Sequence, residues 1–128
     1  MHQKFILASS SKSRYKILKN AGLNFTQKKP NCNEEDIKKT INRKTKPEIF
    51  AKKLSYEKAR SVSRQKLYAN KIVLGCDTVI YHNGKILDKV NSIDKAKKKI
   101  KSLSGKEHLI VSGLTICLNG SKIWENYE

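Results

Sequence analysis

Two stretches of this chain place reactive side chains at spacings that a passive surface does not require. The first is Lys4-Phe-Ile-Leu-Ala-Ser-Ser-Ser-Lys-Ser-Arg14. Its apolar run, Phe5 to Ala8, reads as a buried strand, and Arg14, Ile17, Leu18 and Ala21 then follow at helical spacing. A strand that breaks into small hydroxyl residues at a helix start aims free backbone N–H groups and the positive helix end at one point, which suits a phosphate. Ser9 and Ser11 add hydroxyl donors there, and Arg14 adds a planar fork matched to phosphate oxygens. The same residues also fit a plain helix start, with Ser11 as N-cap and the other serines as loop filler. The second stretch, Val73-Leu-Gly-Cys-Asp-Thr-Val-Ile80, is an apolar strand interrupted by one carboxylate and one hydroxyl. Asp is depleted in strands and is seldom buried without a partner, so Asp77 points to a metal, a cation or a proton. An Asp capping a turn is the alternative.

The elements that must position these groups alternate along the chain. Residues 4–8 read as strand and 12–21 as helix, closed by Gly22. Residues 34–44 form a weak, polar helix. Thr45-Lys-Pro-Glu48 has capping-box spacing, and Pro47 falls early in the next helix, where proline is tolerated. That helix carries Phe50, Ala51, Leu54, Lys58 and Val62 near one face. Residues 72–82 are strand, and Asn83-Gly84 is a two-residue hairpin turn into 85–87. Ser92 caps a helix with Ile93, Ala96, Ile100 and Leu103 at spacings of three and four, and Gly105 follows its end. Residues 108–118 read as strand, and Asn119-Gly120 turns the chain into 122–124. Neither an internal repeat nor a low-complexity linker interrupts this pattern. It implies an α/β fold, a mixed twisted sheet flanked by helices, in one domain spanning 1–128.

Composition narrows the function classes. A chain of 128 residues is one domain's worth. No apolar run approaches a membrane span, and the N-terminus lacks the apolar stretch of a signal peptide. Cys32, Cys76 and Cys117 are far apart and form no CxxC pair, which indicates neither a zinc site nor a disulfide framework. A reducing cytoplasm fits best. The net charge of +17 resembles a nucleic-acid footprint, but only four of the 28 basic residues are arginines and the lysines are spread along the chain. With abundant Asn and Ile, this is the bias of an AT-rich genome. The positive field should steer anions such as nucleotides and give only non-specific, salt-sensitive adsorption to nucleic acid. His2, His82 and His108 have no metal-ligand spacing, and the five tyrosines are too scattered to form a stacking platform.

Seven motifs taken together carry a resemblance. Leu7-Ala-Ser-Ser-Ser-Lys-Ser-Arg14, Asn20-Ala-Gly22, Asn33-Glu34-Glu35, Leu54-Ser-Tyr-Glu-Lys-Ala59, Gly75-Cys-Asp-Thr-Val79, Ile86-Leu-Asp-Lys89 and Leu103-Ser-Gly-Lys-Glu-His108 occur in one order. In that order the sequence resembles the Maf-like proteins, a family of nucleoside triphosphate pyrophosphatases. The resemblance implies a Maf/inosine-triphosphate-pyrophosphatase-like fold. It also implies house-cleaning hydrolysis of a nucleoside triphosphate, non-standard or modified bases included, to a monophosphate and pyrophosphate. Asp77 matches the catalytic aspartate, which takes a proton from water or holds a divalent cation, Mg²⁺ or Mn²⁺. Glu34 matches an acidic position that helps to hold that cation, while Glu35 and Asp36 suit the first turn of a helix. Ser9, Ser11 and Arg14 would cradle phosphates, Lys58 and Lys89 would neutralise triphosphate charge, and Thr78 matches a position linked to substrate choice. A homodimer is a further expectation of the family.

Some positions depart from the family pattern. Lys12 and Ser13 stand where many members have proline and a first arginine, and Val90 stands where a proline usually follows the second lysine. The motifs fill the first two-thirds of a typical member, so the fold is expected to lack the C-terminal third. Two other readings therefore stand beside the enzyme: a truncated, weakly active or inactive Maf remnant, and a small basic nucleic-acid-binding protein.

Overall fold

Phe5–Ala8 forms strand β1 between two parallel neighbours in the computed structural model, which describes residues 4–42, 44–87, 93–105 and 107–128. A strand flanked on both sides in this way needs an unbroken apolar run, and Leu7 and Ala8 are fully buried. Ser11 then caps helix α1, Lys12–Asn20, accepting the Arg14 backbone N–H at 3.2 Å, and Gly22 follows the helix at a φ of 79°. The chain returns as β2, Phe25–Lys28, then passes through α2, Glu34–Lys39, and α3, Pro47–Ser63. Strand β3, Ile72–His82, turns at Asn83-Gly84 into the short β4, Lys85–Ile86. Helix α4, Ile93–Leu103, leads to β5, Leu109–Leu118, which turns at Asn119-Gly120 into β6, Ser121–Tyr127. Both turn asparagines and both turn glycines have positive φ, the signature of a type I′ hairpin turn.

The sheet runs β2-β1-β3-β5-β6, with β4 on β3. Pairing is parallel from β2 to β3 and antiparallel from β3 onwards, the mixed sheet that the hairpins imply. Several local expectations are corrected. Strand β2 has no sequence signal, because only Phe25 of its four residues is buried; pairing with β1 and stacking of Phe25 on Phe5 at 5.4 Å hold it. Helix α2 ends at Lys39 rather than residue 44, where the Thr40 hydroxyl donates to the Ile37 carbonyl at 2.7 Å. The capping box at Thr45 does not form. Pro47 excludes the residue before it from helical geometry, so Lys46 becomes the boundary, with no side-chain cap. The proposed cap at Ser92 lies outside the described residues, as do Asp88, Lys89 and Val90.

The two crossovers run in opposite directions across the sheet. The first leads from β1 through α1 to β2 on one side, and the second leads from β2 through α2 and α3 back past β1 to β3 on its other side. Helix α3 covers the face that carries Val73, Gly75, Asp77 and Val79. Leu74, Cys76 and Thr78 alternate with these on the other face, where they line a cavity with Ile17 and Leu18 of α1. Strand order therefore reverses at β1, and a crevice opens beyond the carboxyl ends of β1 and β3. Strand β1 stops pairing at Ala8, opposite Gly75, whereas β3 runs on past Asp77.

Helix α3 joins two apolar clusters. One holds Ile6, Ala8, Ala59, Val62, Val73 and Cys117; the other holds Phe50, Ala51, Leu54, Val79, Ile86 and Val111. Between them along the helix lie Ser55 and Lys58. Ser55 shares a buried hydrogen bond with Thr115 at 2.7 Å, and Lys58 reaches Asp77. The helix crosses the sheet over two glycines. A Cβ on Gly75 would stand 2.2 Å from the Ser55 carbonyl oxygen, and one on Gly113 would stand 2.5 Å from the Ala51 backbone. Those missing side chains let α3 sit low enough to bring Lys58 onto Asp77.

Candidate active site

A cleft of about 830 Å³ opens where β1 gives way to α1, a size that suits a small organic ligand. Ser9, Ser11 and Arg14 line one wall, and Glu34 and Lys58 line the other. The serine turn is built by its own hydrogen bonds. Ser9 Oγ accepts the Ser11 backbone N–H at 3.1 Å, and Ser11 Oγ accepts that of Arg14. The plain N-cap reading of Ser11 thus holds alongside the cleft reading, because a hydroxyl that accepts a hydrogen bond still carries its own O–H donor. Asn31 closes the loop on the opposite side, its backbone N–H donating to Ser61 of α3 at 2.9 Å. Asn33 caps α2 and so places Glu34 in its first turn, facing the cleft.

Lys58 organises the charges. Its Nζ donates to Asp77 Oδ1 at 2.7 Å and also contacts Glu34 Oε1. Burial works against the Lys58 charge, but the Asp77 carboxylate outweighs it by charge and hydrogen bond. Glu34 adds to this, so Lys58 holds its proton above the ordinary lysine value of 10.5. Asp77 lies beneath Lys58 rather than in the cleft wall, only 1% exposed. Its Oδ2 is buried with no hydrogen-bond partner among the described residues. Asp77 therefore caps no turn: it sits within β3, a carboxylate held dry by one ammonium with its second oxygen unused.

Arg14 spans both faces of the sheet. Besides lining the cleft, it donates from Nη2 to Thr78 Oγ1 at 3.1 Å and from Nη1 to Ser9 Oγ at 3.5 Å. Thr78 is linked in turn to Ser112 at 2.9 Å, in a smaller cavity of about 270 Å³ on the α1 face. Asp77 and Thr78 are adjacent and so point to opposite faces. The structure brings together Ser9, Ser11, Arg14, Glu34, Lys58 and Asp77. It places Thr78 one step away, through Arg14. Lys89 lies outside the described residues. Neighbouring cysteines are poor nucleophiles: burial pushes the Cys76 thiol up despite Arg14, and burial pushes Cys32 up despite Ser61 and Lys58.

Sequence reasoning passed over Gly75, Gly113, Ser55 and Thr115, which set the height of α3. Glycine in a strand interior was the available signal, since it marks close backbone approach.

The profile of the Maf-like protein family matches residues 4–128. This chain belongs to the Maf-like family. It is similar to the nucleoside triphosphate pyrophosphatase of Pelagibacter ubique, at 37% identity over 99% of this chain and 64% of that protein. It is likewise similar to the 7-methyl-GTP pyrophosphatase of Bartonella henselae, 37% identical over 93% of this chain and 59% of that protein. The dTTP/UTP pyrophosphatase of Thermotoga maritima is 34% identical over 93% of the chain and 55% of its own length. The Maf-like chain therefore spans about three-fifths of the length of these curated relatives. A HAM1 protein from Coxiella burnetii shares the fold, with a TM-score of 0.53 at 12% identity over 99% of this chain and 68% of that one. Among the described residues, no helix is long and apolar enough to cross a membrane.

Proposed function

We propose that this Maf-like chain is a nucleoside triphosphate pyrophosphatase that releases pyrophosphate and a nucleoside monophosphate. One observation carries the reading: the Glu34–Lys58–Asp77 cluster lies against the same cleft as the serine turn and Arg14. The names of the relatives from Pelagibacter, Bartonella and Thermotoga support it.

Cleavage between the α- and β-phosphates requires charge neutralisation, in-line placement and an oriented water. The Ser9–Ser11 turn offers backbone and hydroxyl donors to phosphate oxygens, and Arg14 neutralises and orients them. Lys58 adds a second cation on the opposite wall. Asp77 accepts the proton of the attacking water through Oδ2, the oxygen that Lys58 leaves unused. Thr78 anchors the Arg14 fork from behind and so influences which substrate is held. Lys89 completes the phosphate contacts in this reading.

The donor chemistry also fits a divalent metal. In the alternative role of Asp77, its carboxylate and that of Glu34 are hard oxygen donors that meet at Lys58, and Mg²⁺ binds through one or two carboxylates plus substrate phosphates. Among the described residues no group of three His, Cys, Asp or Glu could hold such an ion, so water, and phosphate oxygens once a nucleotide is bound, would supply the rest. When bound, the cation would neutralise phosphate charge and favour deprotonation of water. The three cysteines are free thiols, in keeping with a cytoplasmic setting.

The test is pyrophosphate release from a panel of nucleoside triphosphates, including 7-methyl-GTP, dTTP and UTP, with Mg²⁺ or Mn²⁺. Release from at least one of them is expected. Silence across the panel, with tight salt-sensitive binding to nucleic acid, would overturn the enzyme reading.

A further inference from the structure

Two carboxylates meet one ammonium at the edge of the cleft, and their arrangement is asymmetric. Lys58 Nζ contacts Asp77 Oδ1 at 2.7 Å and Glu34 Oε1, while Asp77 Oδ2 makes no hydrogen bond among the described residues. The Asp77 side chain is 2% exposed and that of Glu34 is 27% exposed. Two carboxylates that converge on one point, one of them out of water, repel each other unless a cation stands between them. The ammonium meets that need for one oxygen of each. It is a monovalent point charge on a four-carbon stem, and it leaves Oδ2 unmet. A divalent cation would compete for the same lone pairs and could also use Oδ2.

We propose that Lys58 is the built-in counter-ion of the Glu34–Asp77 pair, and that a divalent cation takes these carboxylates by displacing the ammonium into the cleft. The geometry makes the exchange a short one. Lys58 is anchored on α3 between the two apolar clusters, so its backbone stays fixed while its stem rotates. Its head already lines the cleft that Ser9, Ser11 and Arg14 share. Swung forward, it meets the phosphates of a bound nucleotide with the charge it previously gave to the carboxylates. Lys58 thereby has two successive partners. It shields the acidic pair first and then neutralises the polyanion, and the same movement uncovers Asp77. The cluster would be guarded against weak or adventitious cations, because each must outcompete a tethered ammonium. The proposal rests on the pyrophosphatase reading only in assuming that a divalent cation visits this pair.

The experiment measures Mn²⁺ binding to the full chain without nucleotide, from the loss of the free-ion paramagnetic resonance signal. Lys58→Met is expected to bind Mn²⁺ at least tenfold more tightly than the parent chain. Equal or weaker binding overturns the proposal. Because that variant leaves two carboxylates unshielded and can fail to fold, the parent chain is also treated with an amine-acylating reagent and its lysines are quantified by mass spectrometry. Mn²⁺ is expected to raise acylation of Lys58 several-fold and to leave exposed Lys66 unchanged. Lys58 acylation that stays constant as Mn²⁺ saturates, or an absence of Mn²⁺ binding to either protein, overturns it. Pyrophosphate release by the parent chain reports separately: release with an unmoved Lys58 removes the exchange and leaves the enzyme reading standing.

Discussion

The two faces of the sheet are built to different standards. Under α3 the packing is close: the helix rests on glycine backbone at Gly75 and Gly113, apolar clusters lie on both sides, and between them Ser55 pairs with Thr115 and Lys58 with Asp77 Oδ1, which leaves Asp77 Oδ2 without a hydrogen bond among the described residues. On the other face α1 is a nine-residue helix with no fully buried side chain. Leu74, Leu114 and Ile116 are only half-covered there, and Ile17, Ile110 and Trp124 are largely exposed. The charged cluster belongs to the dry, rigid face, where a low dielectric strengthens a hydrogen-bonded charge pair. Arg14 belongs to the open face and reaches round the end of β1 to the cleft. Under the proposed function, rigidity would serve the groups that hold a proton or cation in one place, and looser packing would serve the group that adjusts to a ligand.

The largest effect that would break this contrast is at Asp77. Asp77→Asn should lower pyrophosphate release by at least about a hundredfold, the scale of losing a general base. A near-parental rate would show that the dry face is structural only. Next is the height of α3. Gly75→Ala places a methyl group against backbone that cannot turn aside, and should destabilise the fold by about 1–3 kcal/mol in urea titrations. Ile116→Val on the open face should cost less than about 1 kcal/mol in the same assay. Equal losses would erase the distinction between the faces.

Arg14→Ala should weaken nucleoside triphosphate binding by about tenfold, the loss of one charge-assisted phosphate contact, and should weaken monophosphate binding less. Titration calorimetry with both ligands measures the difference, and equal losses would remove Arg14 from the phosphate clamp. The smallest effect is on alkaline stability. Lys58 holds its proton above 10.5 in the folded chain, so its contribution is complete below that pH and fades as pH rises through the higher folded value. Burial likewise raises the Cys117 thiol from 9.0 to about 11, so folding weakens as pH climbs across that interval. Both groups pack on the α3 face, and the melting temperature of the parent chain should change little between pH 8 and 9 through these groups and fall between 9 and 11. Cys117→Ala should flatten the part between 9 and 11; an unchanged slope would exclude Cys117 as a contributor.

The legibility of the candidate site differed by residue. Asp77 stood out because a carboxylate in an apolar strand contradicts its surroundings. The serine turn and Arg14 stood out because strand, hydroxyls and helix start are contiguous, and the structure joins them by local hydrogen bonds. Lys58 carried no such mark: without the motif order it is one lysine among twenty-four, and its role depends on Asp77, nineteen residues away. Strand β2 was invisible because three of its four residues are polar or part-exposed, and its stability comes from β1 rather than from its own pattern.

Alternation, helical spacing and turn residues determined from the sequence alone that the sheet is mixed, where the hairpins fall and which strand holds the acidic group. Such signals act over a few residues and need no partner. Tertiary structure alone decided that α3 lies on two glycines, that its lysine meets a carboxylate from α2 and another from β3, and that Arg14 serves both faces. Each of these depends on the distance between elements far apart in the chain, which is set by how closely two backbones can approach once their side chains have been placed.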